Sequence, residues 1–300
     1  MAVITQPTRR GSTGTPPAPA ATRRRRGRGV TRLLNAVAVV IAAVFAFPIY
    51  WMLNTSFKSA DEYQTFTPHF VPSSPTTANY TTAVHVLNFG SDLVNSIILT
   101  AISVSISLFI GFLGALAIAR FRFHGRRTLI FVVMVVQMLP LAVMILPMYK
   151  ILADIHKTDT LFGVICIYIG LIMPYTVWTL RGFIVNVPKE LDEAALVDGC
   201  SRWQTFYRII LPLVGPGLVA TSLFGFIQIW NEWLVISTIN SGDGSKHNLM
   251  MWLTDQSSLR GTAWGPLMAS AVITSLPVVA VFLIIQRHIA TGLTAGAVKG

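Results

Sequence analysis

The chain has 300 residues, of which 53% are hydrophobic and only 12% are Asp, Glu, Lys or Arg. Soluble domains carry about 25% charged residues, so a soluble protein of this composition would lack the polar side chains to cover its surface. Composition therefore excludes an ordinary soluble domain and predicts a chain that lies largely in lipid. The two cysteines exclude a disulfide-rich scaffold, and the six histidines have no paired spacing, so no metal site is predicted.

The first 29 residues are rich in Thr, Pro, Gly and Arg and cannot form a packed core. We predict that residues 1–29 are a disordered basic tail, and that the run Arg23–Arg26 is attracted to anionic membrane lipid. No aromatic residues are interleaved with these arginines, so nucleic-acid binding is not expected. The apolar stretch that follows is longer than the core of a typical signal peptide, about 7–15 residues, which favours an uncleaved first span.

Six later stretches are long and apolar enough to cross a bilayer, which takes about 20 helical residues. The predicted spans lie near residues 33–53, 93–119, 128–149, 160–180, 212–239 and 261–286. The predicted fold is therefore an all-α integral membrane protein, with a six-span helical bundle over residues 30–286.

The distribution of basic residues sets the expected orientation. If the N-terminus lies in the cytoplasm, 18 of the 23 Lys and Arg residues fall on the cytoplasmic side. This excess satisfies the positive-inside rule and predicts that both termini are cytoplasmic, including a C-terminal tail over residues 287–300.

Two features of the spans concern helix packing. Gly111, Ala115 and Ala119 recur at four-residue spacing and form a small-residue face that permits close approach of a neighbouring helix. Pro140 and Pro147 remove backbone hydrogen bonds and predict a kink in the third span.

Residues 187–212, here called the corner segment, lie between the fourth and fifth spans. Pro188 suits the first turn of a helix, and Gly199 suits its left-handed end. Ser201 and Gln204 have the spacing of a capping box, which predicts a second helix. The sequence thus predicts two short cytoplasmic helices that meet at a sharp corner.

The second of these helices has an apolar stripe. Trp203, Phe206, Tyr207 and Ile210 follow at helical spacing and are predicted to share one face. A compact helical corner with an apolar face suits docking into a groove on a partner protein.

Several positions of the corner segment match a known motif. They are Glu193, Ala194, Ala195, Gly199, Ile209, Leu211 and Pro212, with Asp198 directly before the glycine. This pattern resembles the EAA loop of ABC importer permeases. The run Trp230–Glu232 and the C-terminal residues 286–300 are also similar to the second permease subunit of maltose-type carbohydrate importers. The resemblance covers residues 28–300 and excludes the Arg-rich N-terminal extension.

The resemblance implies a function. A permease of this kind carries a sugar or oligosaccharide across the bacterial cytoplasmic membrane by alternating access. Its implied partners are a second permease subunit that forms a heterodimer with it, two ATPase subunits and an extracytoplasmic solute-binding protein. ATP and Mg would be used by the ATPase, and no cofactor would be bound by this chain.

The resemblance also assigns roles to individual residues. Glu193 is implied to pair with a basic residue of the ATPase, while the other coupling positions permit close contact with it. Those positions are Ala194, Ala195, Asp198, Gly199, Leu211 and Pro212. Gly292, Gly296 and Lys299 are implied to lie in a flexible tail that reaches towards the ATPase interface.

The chain has no ATPase signature of its own. No Gly-Lys dipeptide occurs in it, so a Walker A phosphate loop is excluded. We therefore expect a non-catalytic pore subunit.

Glu232 is the one acidic residue that falls inside a predicted span. Burying it costs about 2.5–3.5 kcal/mol, so it is expected to face the bundle interior or water. Two roles remain open: contact with a sugar, or a structural hydrogen bond to a neighbouring helix or the partner permease. The other candidate path residues are Gln137, Gln228, Trp230 and Asn231.

Two alternatives to sugar import were considered. The same machinery could carry glycerol-phosphate or polyols, although no basic residue is predicted inside a span to bind a phosphate. A secondary transporter would need ion-coupling groups and often two repeated halves, and the sequence has one intramembrane acid and no obvious repeat.

Overall fold

The computed structural model describes residues 28–65, 67–85, 88–242, 246–258 and 261–297. Of the predicted N-terminal tail, only Arg28 and Gly29 are among these residues, and they begin the first helix. Lys299 lies outside the described residues.

The described residues are predominantly α-helical. The helices are α1 (Arg28–Ser56), α2 (Ala60–Tyr63), α3 (Ala78–His85), α4 (Phe89–Arg120), α5 (Arg126–Gln137), α6 (Leu141–Asp154), α7 (Leu161–Val185), α8 (Lys189–Val197), α9 (Arg202–Thr205), α10 (Leu211–Trp230), α11 (Leu234–Ile239), α12 (Leu249–Asp255) and α13 (Trp264–Ala297). A π-helical turn, Phe206–Ile210, joins α9 to α10. One antiparallel pair of two-residue strands, β1 (Ser257–Ser258) and β2 (Gly261–Thr262), follows α12.

Five helices of the described chain are long and apolar enough to cross a membrane, and a bent pair of shorter helices would make a sixth. The predicted all-α membrane fold is confirmed. The chain divides into two compact units, residues 1–49 and residues 50–300. In the first unit, most side chains from residue 32 to residue 49 are apolar, and all of them are exposed. This pattern is typical of a helix that faces lipid.

The third predicted span is broken. Instead of one helix near 128–149, α5 and α6 meet at an angle of 101°. Pro140 is the residue before α6 and has an extended backbone, with φ −68° and ψ 128°. Because proline lacks an N–H and disfavours helical geometry in the residue before it, the helix ends there and restarts in a new direction.

The most extensive helix contact in the described part of the chain lies between α4 and α7. A Cβ added to Gly111 would come within 2.5 Å of the Thr176 side chain, so only glycine permits this approach. Ala115 and Ala119 are buried on the same face and pack against Leu180 and Ile184 of α7. The small-residue face predicted from the sequence is therefore confirmed as a packing surface.

The fifth and sixth spans also differ from their predicted bounds. The region predicted as one span over 212–239 contains α10, which ends at Trp230, and the separate helix α11. The helix α13 continues to Ala297, beyond the predicted span end at residue 286. No proline occurs between residues 287 and 297 to stop it, so Gly292 and Gly296 lie in this helix rather than in an irregular tail.

Candidate functional site

The first helix of the corner segment ends as its sequence predicts. Gly199 has φ +84°, the left-handed conformation. The Cys200 N–H donates to the Ala195 carbonyl at 2.9 Å and the Gly199 N–H donates to the Leu196 carbonyl at 3.2 Å. These two bonds form a Schellman motif, which satisfies the last carbonyls of α8 and reverses the chain.

The capping box at the start of the second helix is also confirmed. The Gln204 N–H donates to Ser201 Oγ at 3.2 Å, and the Ser201 N–H donates to Gln204 Oε1 at 2.7 Å. Because both caps are satisfied locally, the turn between α8 and α9 is fixed by its own sequence.

The second helix is not a separate short element. From Arg202 the chain is helical without interruption to Trp230, through the π-helical turn Phe206–Ile210. Pro212 cannot donate to the carbonyl four residues earlier, and its ring would clash with that carbonyl in a regular α-helix. The wider π-helical turn just before it relieves this conflict. The corner is thus directly continuous with a membrane helix.

The coupling positions implied by the resemblance divide between two faces. Glu193, Ala194, Asp198 and Gly199 are exposed, whereas Ala195 is buried at 3% exposure. Farther along the chain, Leu211 is partly buried against the core, whereas Pro212 is exposed.

The predicted apolar stripe also divides. Phe206 and Ile210 are buried in a cluster with Phe112, whose ring centroid lies 5.2 Å from that of Phe206. Trp203 and Tyr207 instead face outwards, at 61% and 39% exposure. The Trp203 ring stacks on that of Phe206 with a centroid distance of 4.8 Å, so the stripe is continuous, but it is buried only at Phe206 and Ile210.

Three large apolar side chains are exposed near Gly199, beside the exposed charged residues Asp198 and Arg202. Val197 is 87% exposed, Trp203 is 61% exposed and Leu196 is 47% exposed. Such large apolar side chains at an exposed turn are typical of a surface that is covered by another protein.

Arg120 is part of none of the motifs in the sequence, where it is one basic residue among 23 Lys and Arg. At the end of α4, its Nε lies 2.8 Å from Asp192 Oδ2, and its Nη2 donates to the Val187 carbonyl at 3.1 Å. Burial raises the pKa of the Asp192 carboxyl above its ordinary value, and the Arg120 guanidinium opposes this shift. No sequence spacing could have shown this contact, because the two residues come from elements far apart in the chain.

The candidate path residues fall into two groups. Gln137, Gln228 and Glu232 line one cavity of about 490 Å³ at the bend between α5 and α6, here called the bend cavity. Its walls include Tyr175, which stacks on Phe224 with a centroid distance of 3.7 Å. This volume lies within the range of about 300–1,000 Å³ that is usual for small-molecule pockets.

Glu232 lies in the break after α10. Its carboxylate accepts hydrogen bonds from the Val235 N–H at 3.0 Å and from the Tyr168 hydroxyl at 3.1 Å. The first bond satisfies an N–H at the start of α11, where a negative charge is also favoured by the helix dipole. The structural role left open by the sequence is therefore present, on a carboxylate that also borders the bend cavity.

Trp230 and Asn231 lie elsewhere. Trp230 is 3% exposed, and its indole N–H donates to the Thr274 carbonyl at 3.0 Å, towards α13. The Asn231 amide donates to the Ile227 carbonyl at 2.8 Å, and neither residue lines the bend cavity. Adjacency to Glu232 in sequence did not bring them to the same side, because α10 ends at Trp230 and the chain leaves the helix before Glu232.

Comparison with known proteins identifies the family. Residues 107–294 match the family described as binding-protein-dependent transport system inner membrane component. This chain belongs to that family. It is a multi-pass membrane permease subunit of an ABC importer.

The relatives of this permease extend over nearly its whole length. The diacetylchitobiose uptake system permease protein DasC of Streptomyces coelicolor is 41% identical over 89% of this chain and 96% of its own. The trehalose/maltose transport system permease protein MalG of Thermococcus litoralis is 31% identical, with 89% and 96% covered. Among solved structures, a bacterial ABC transporter involved in alginate import has a similar fold, with a TM-score of 0.75, 21% identity, and 87% of this chain and 97% of that chain covered.

Proposed function

We propose that this permease carries a sugar or oligosaccharide across the cytoplasmic membrane, and that ATP hydrolysis in partner subunits drives the transport. The names of two relatives support the substrate class, since one is a diacetylchitobiose uptake permease and the other a trehalose/maltose transport permease. The observation that carries the proposal is the corner segment, which combines a continuous membrane helix with an exposed apolar turn at Gly199.

The corner segment is the proposed contact with an ATPase subunit. Glu193 is exposed and can pair with a basic residue of the partner, while Ala194 and Gly199 present no large side chain between the two surfaces. Movement of the ATPase would then be passed into α10 without an intervening loop, because α9, the π-helical turn and α10 form one helix.

The remaining subunits follow from the same proposal. A second permease would complete the pore as a heterodimer, two ATPase subunits would bind beneath it, and an extracytoplasmic binding protein would deliver the sugar. ATP and Mg would be held by the ATPases, which makes this chain a non-catalytic subunit with both termini in the cytoplasm. The proposed tail contact through Gly292, Gly296 and Lys299 would then involve the end of α13.

The bend cavity is the proposed site of contact with the sugar. Gln137 and Gln228 offer amide donors and acceptors for hydroxyl groups, and Tyr175 offers an aromatic side chain for a pyranose ring. No Lys, Arg or His is among the described residues that line it, so a phosphorylated solute is not favoured. Neither polyol import nor secondary transport has support among the relatives.

The experiment is uptake of radiolabelled diacetylchitobiose, trehalose and maltose into proteoliposomes that hold this permease with its genetically neighbouring subunits and binding protein. We expect ATP-dependent uptake of at least one of these sugars. Gln228→Leu should reduce it at least tenfold, while Gln286→Leu, on an exposed part of α13, should not. ATP-dependent uptake of none of them would contradict the substrate proposal, and equal uptake by both variants would contradict the role of the bend cavity.

A further inference from the structure

Arg120, the last residue of α4, contacts both the connection between α7 and α8 and the helix α8 itself. Arg120 Nη2 donates to the carbonyl of Val187, which lies in the connection between α7 and α8. Its Nε lies 2.8 Å from Oδ2 of Asp192, in α8, and Nη2 lies 3.4 Å from Oδ1. One guanidinium therefore ties α4 to two successive parts of the chain.

This contact is more protected from water than most surface ion pairs. The Arg120 side chain is 9% exposed and the Asp192 side chain is 21% exposed. No other ion pair is found in the described part of the chain, so no second charge pair duplicates the link. Partial burial makes such a pair geometrically specific, because each charge needs its partner once water is removed.

Apolar packing holds α8 only weakly. Ala195 is the one buried residue of this helix, and a cavity of about 310 Å³ separates parts of α8 and α9 from α4. The cavity wall includes Arg120, Asp192 and Phe206. Little apolar surface is shared across this gap, and the Arg120 guanidinium makes the one ion pair between α4 and α8 in the described part of the chain.

We propose that Arg120 is a positioning residue for energy coupling: it makes the end of α4 follow α8, the helix that carries Glu193, when an ATPase moves that helix. Through the close packing of Gly111 on Thr176, α4 in turn moves α7. This inference rests on the proposed coupling function and adds a second route into the membrane, besides the continuous helix α9–α10.

A double substitution separates this role from simple stability. Arg120→Met/Asp192→Leu removes both charges and fills their places with apolar side chains, a change that often leaves protein stability unaltered. We expect the assembled complex to form and to hydrolyse ATP at the normal rate, but to import at least tenfold less sugar per ATP. The charge exchange Arg120→Asp/Asp192→Arg should restore part of this ratio.

The matched control is Arg122→Met. Arg122 lies two residues farther along and is exposed, so its replacement removes a basic side chain just past α4 without disturbing the ion pair. We expect Arg122→Met to keep the normal ratio of transport to hydrolysis. Arg120→Lys provides a milder variant, which keeps the charge but not the two-sided contact, and it should lower the ratio two- to fivefold.

A distance measurement tests the inference without a transported sugar. The two native cysteines, Cys166 and Cys200, are first replaced by Ser. Spin labels are then placed at Phe123, just past α4, and at Leu283, in α13. The distance between the labels reports movement of the end of α4. In the complex with wild-type Arg120, the label distance should change when ATP is trapped. In the double variant that change should be absent.

The outcomes are distinct from those for the proposed function. If none of the sugars is imported by the wild-type complex, the substrate proposal fails while the distance measurement still reads the movement of α4. The proposal about Arg120 is overturned if the assembled double variant, or Arg120→Lys where the double variant does not assemble, keeps both the normal transport per ATP and the ATP-dependent change in distance.

Discussion

The Tyr168 hydroxyl donates a hydrogen bond to a carboxylate oxygen of Glu232 across 3.1 Å, and this bond joins α7 to the break between α10 and α11. The Asn248 amide donates to the backbone carbonyl of Glu232 at 2.8 Å and so fixes the start of α12 to the same residue. Glu232 is therefore a junction of three segments as well as a wall of the bend cavity.

Removing the hydroxyl of Tyr168 should weaken this junction. Tyr168→Phe keeps the buried ring and loses one hydrogen bond to a charged group, which we expect to lower the free energy of unfolding by about 1.5–3 kcal/mol. Thermal unfolding of the purified permease measures this as a lower Tm. Tyr149→Phe, at a 39% exposed position, is the control and should leave Tm unchanged; equal Tm values for the two variants would contradict the assignment.

The hydrogen bond that Glu232 accepts from the start of α11 can be tested separately from the negative charge of Glu232. In Glu232→Gln the side-chain carbonyl still accepts from the Val235 N–H, whereas Glu232→Ala leaves that donor without its partner. We expect the alanine variant to lose about 1–2 kcal/mol relative to the glutamine variant, measured by thermal unfolding. A glutamine variant as unstable as the alanine variant would show that the negative charge, and not the cap, holds the break together.

The close approach of α10 to α7 requires glycine, which has no side chain, at position 217. A Cβ there would lie 2.5 Å from the Phe183 ring, whereas a Cβ at Gly215 meets nothing within 4 Å. We expect Gly217→Ala to destabilise the permease by about 1–3 kcal/mol, and Gly215→Ala to be neutral or to stabilise it by up to about 1 kcal/mol. Thermal unfolding compares them, and a Gly217→Ala variant at least as stable as Gly215→Ala would contradict the packing described for α10.

Local sequence signals predicted the corner segment well. The left-handed Gly199 and the capping box of Ser201 and Gln204 depend on residues a few positions apart, so their chemistry is contained in the sequence itself. The family resemblance rested on this segment together with Trp230–Glu232 and residues 286–300, and it is confirmed by the match over residues 107–294.

Features that depend on distant contacts were not predictable in the same way. The hydropathy pattern predicts one span near residues 128–149. Hydropathy measures apolar content and not chain direction, so it cannot predict the bend of 101° between α5 and α6. The separation of Trp230 from the bend cavity depends on α13, to which its indole N–H donates. Arg120 was missed because its partners lie in the corner segment, well beyond any local spacing.

The most direct test of the account is whether the tip of the corner segment binds an ATPase. Gly199 and Gly125 have nearly the same left-handed backbone, with φ +84° and +83°, and a Cβ at either position meets nothing within 4 Å inside the chain. Aspartate is among the residues that tolerate this conformation, so Gly199→Asp and Gly125→Asp impose a similar small strain. Only the former places a carboxylate on the proposed docking surface.

Co-purification of the ATPase with each tagged variant, from membranes that contain equal amounts of permease, is the measurement. The account predicts that Gly199→Asp reduces the recovered ATPase at least tenfold, while Gly125→Asp recovers as much as the wild-type chain. Equal recovery of the ATPase with Gly199→Asp and with the wild-type chain would contradict the proposal that this corner is the ATPase contact.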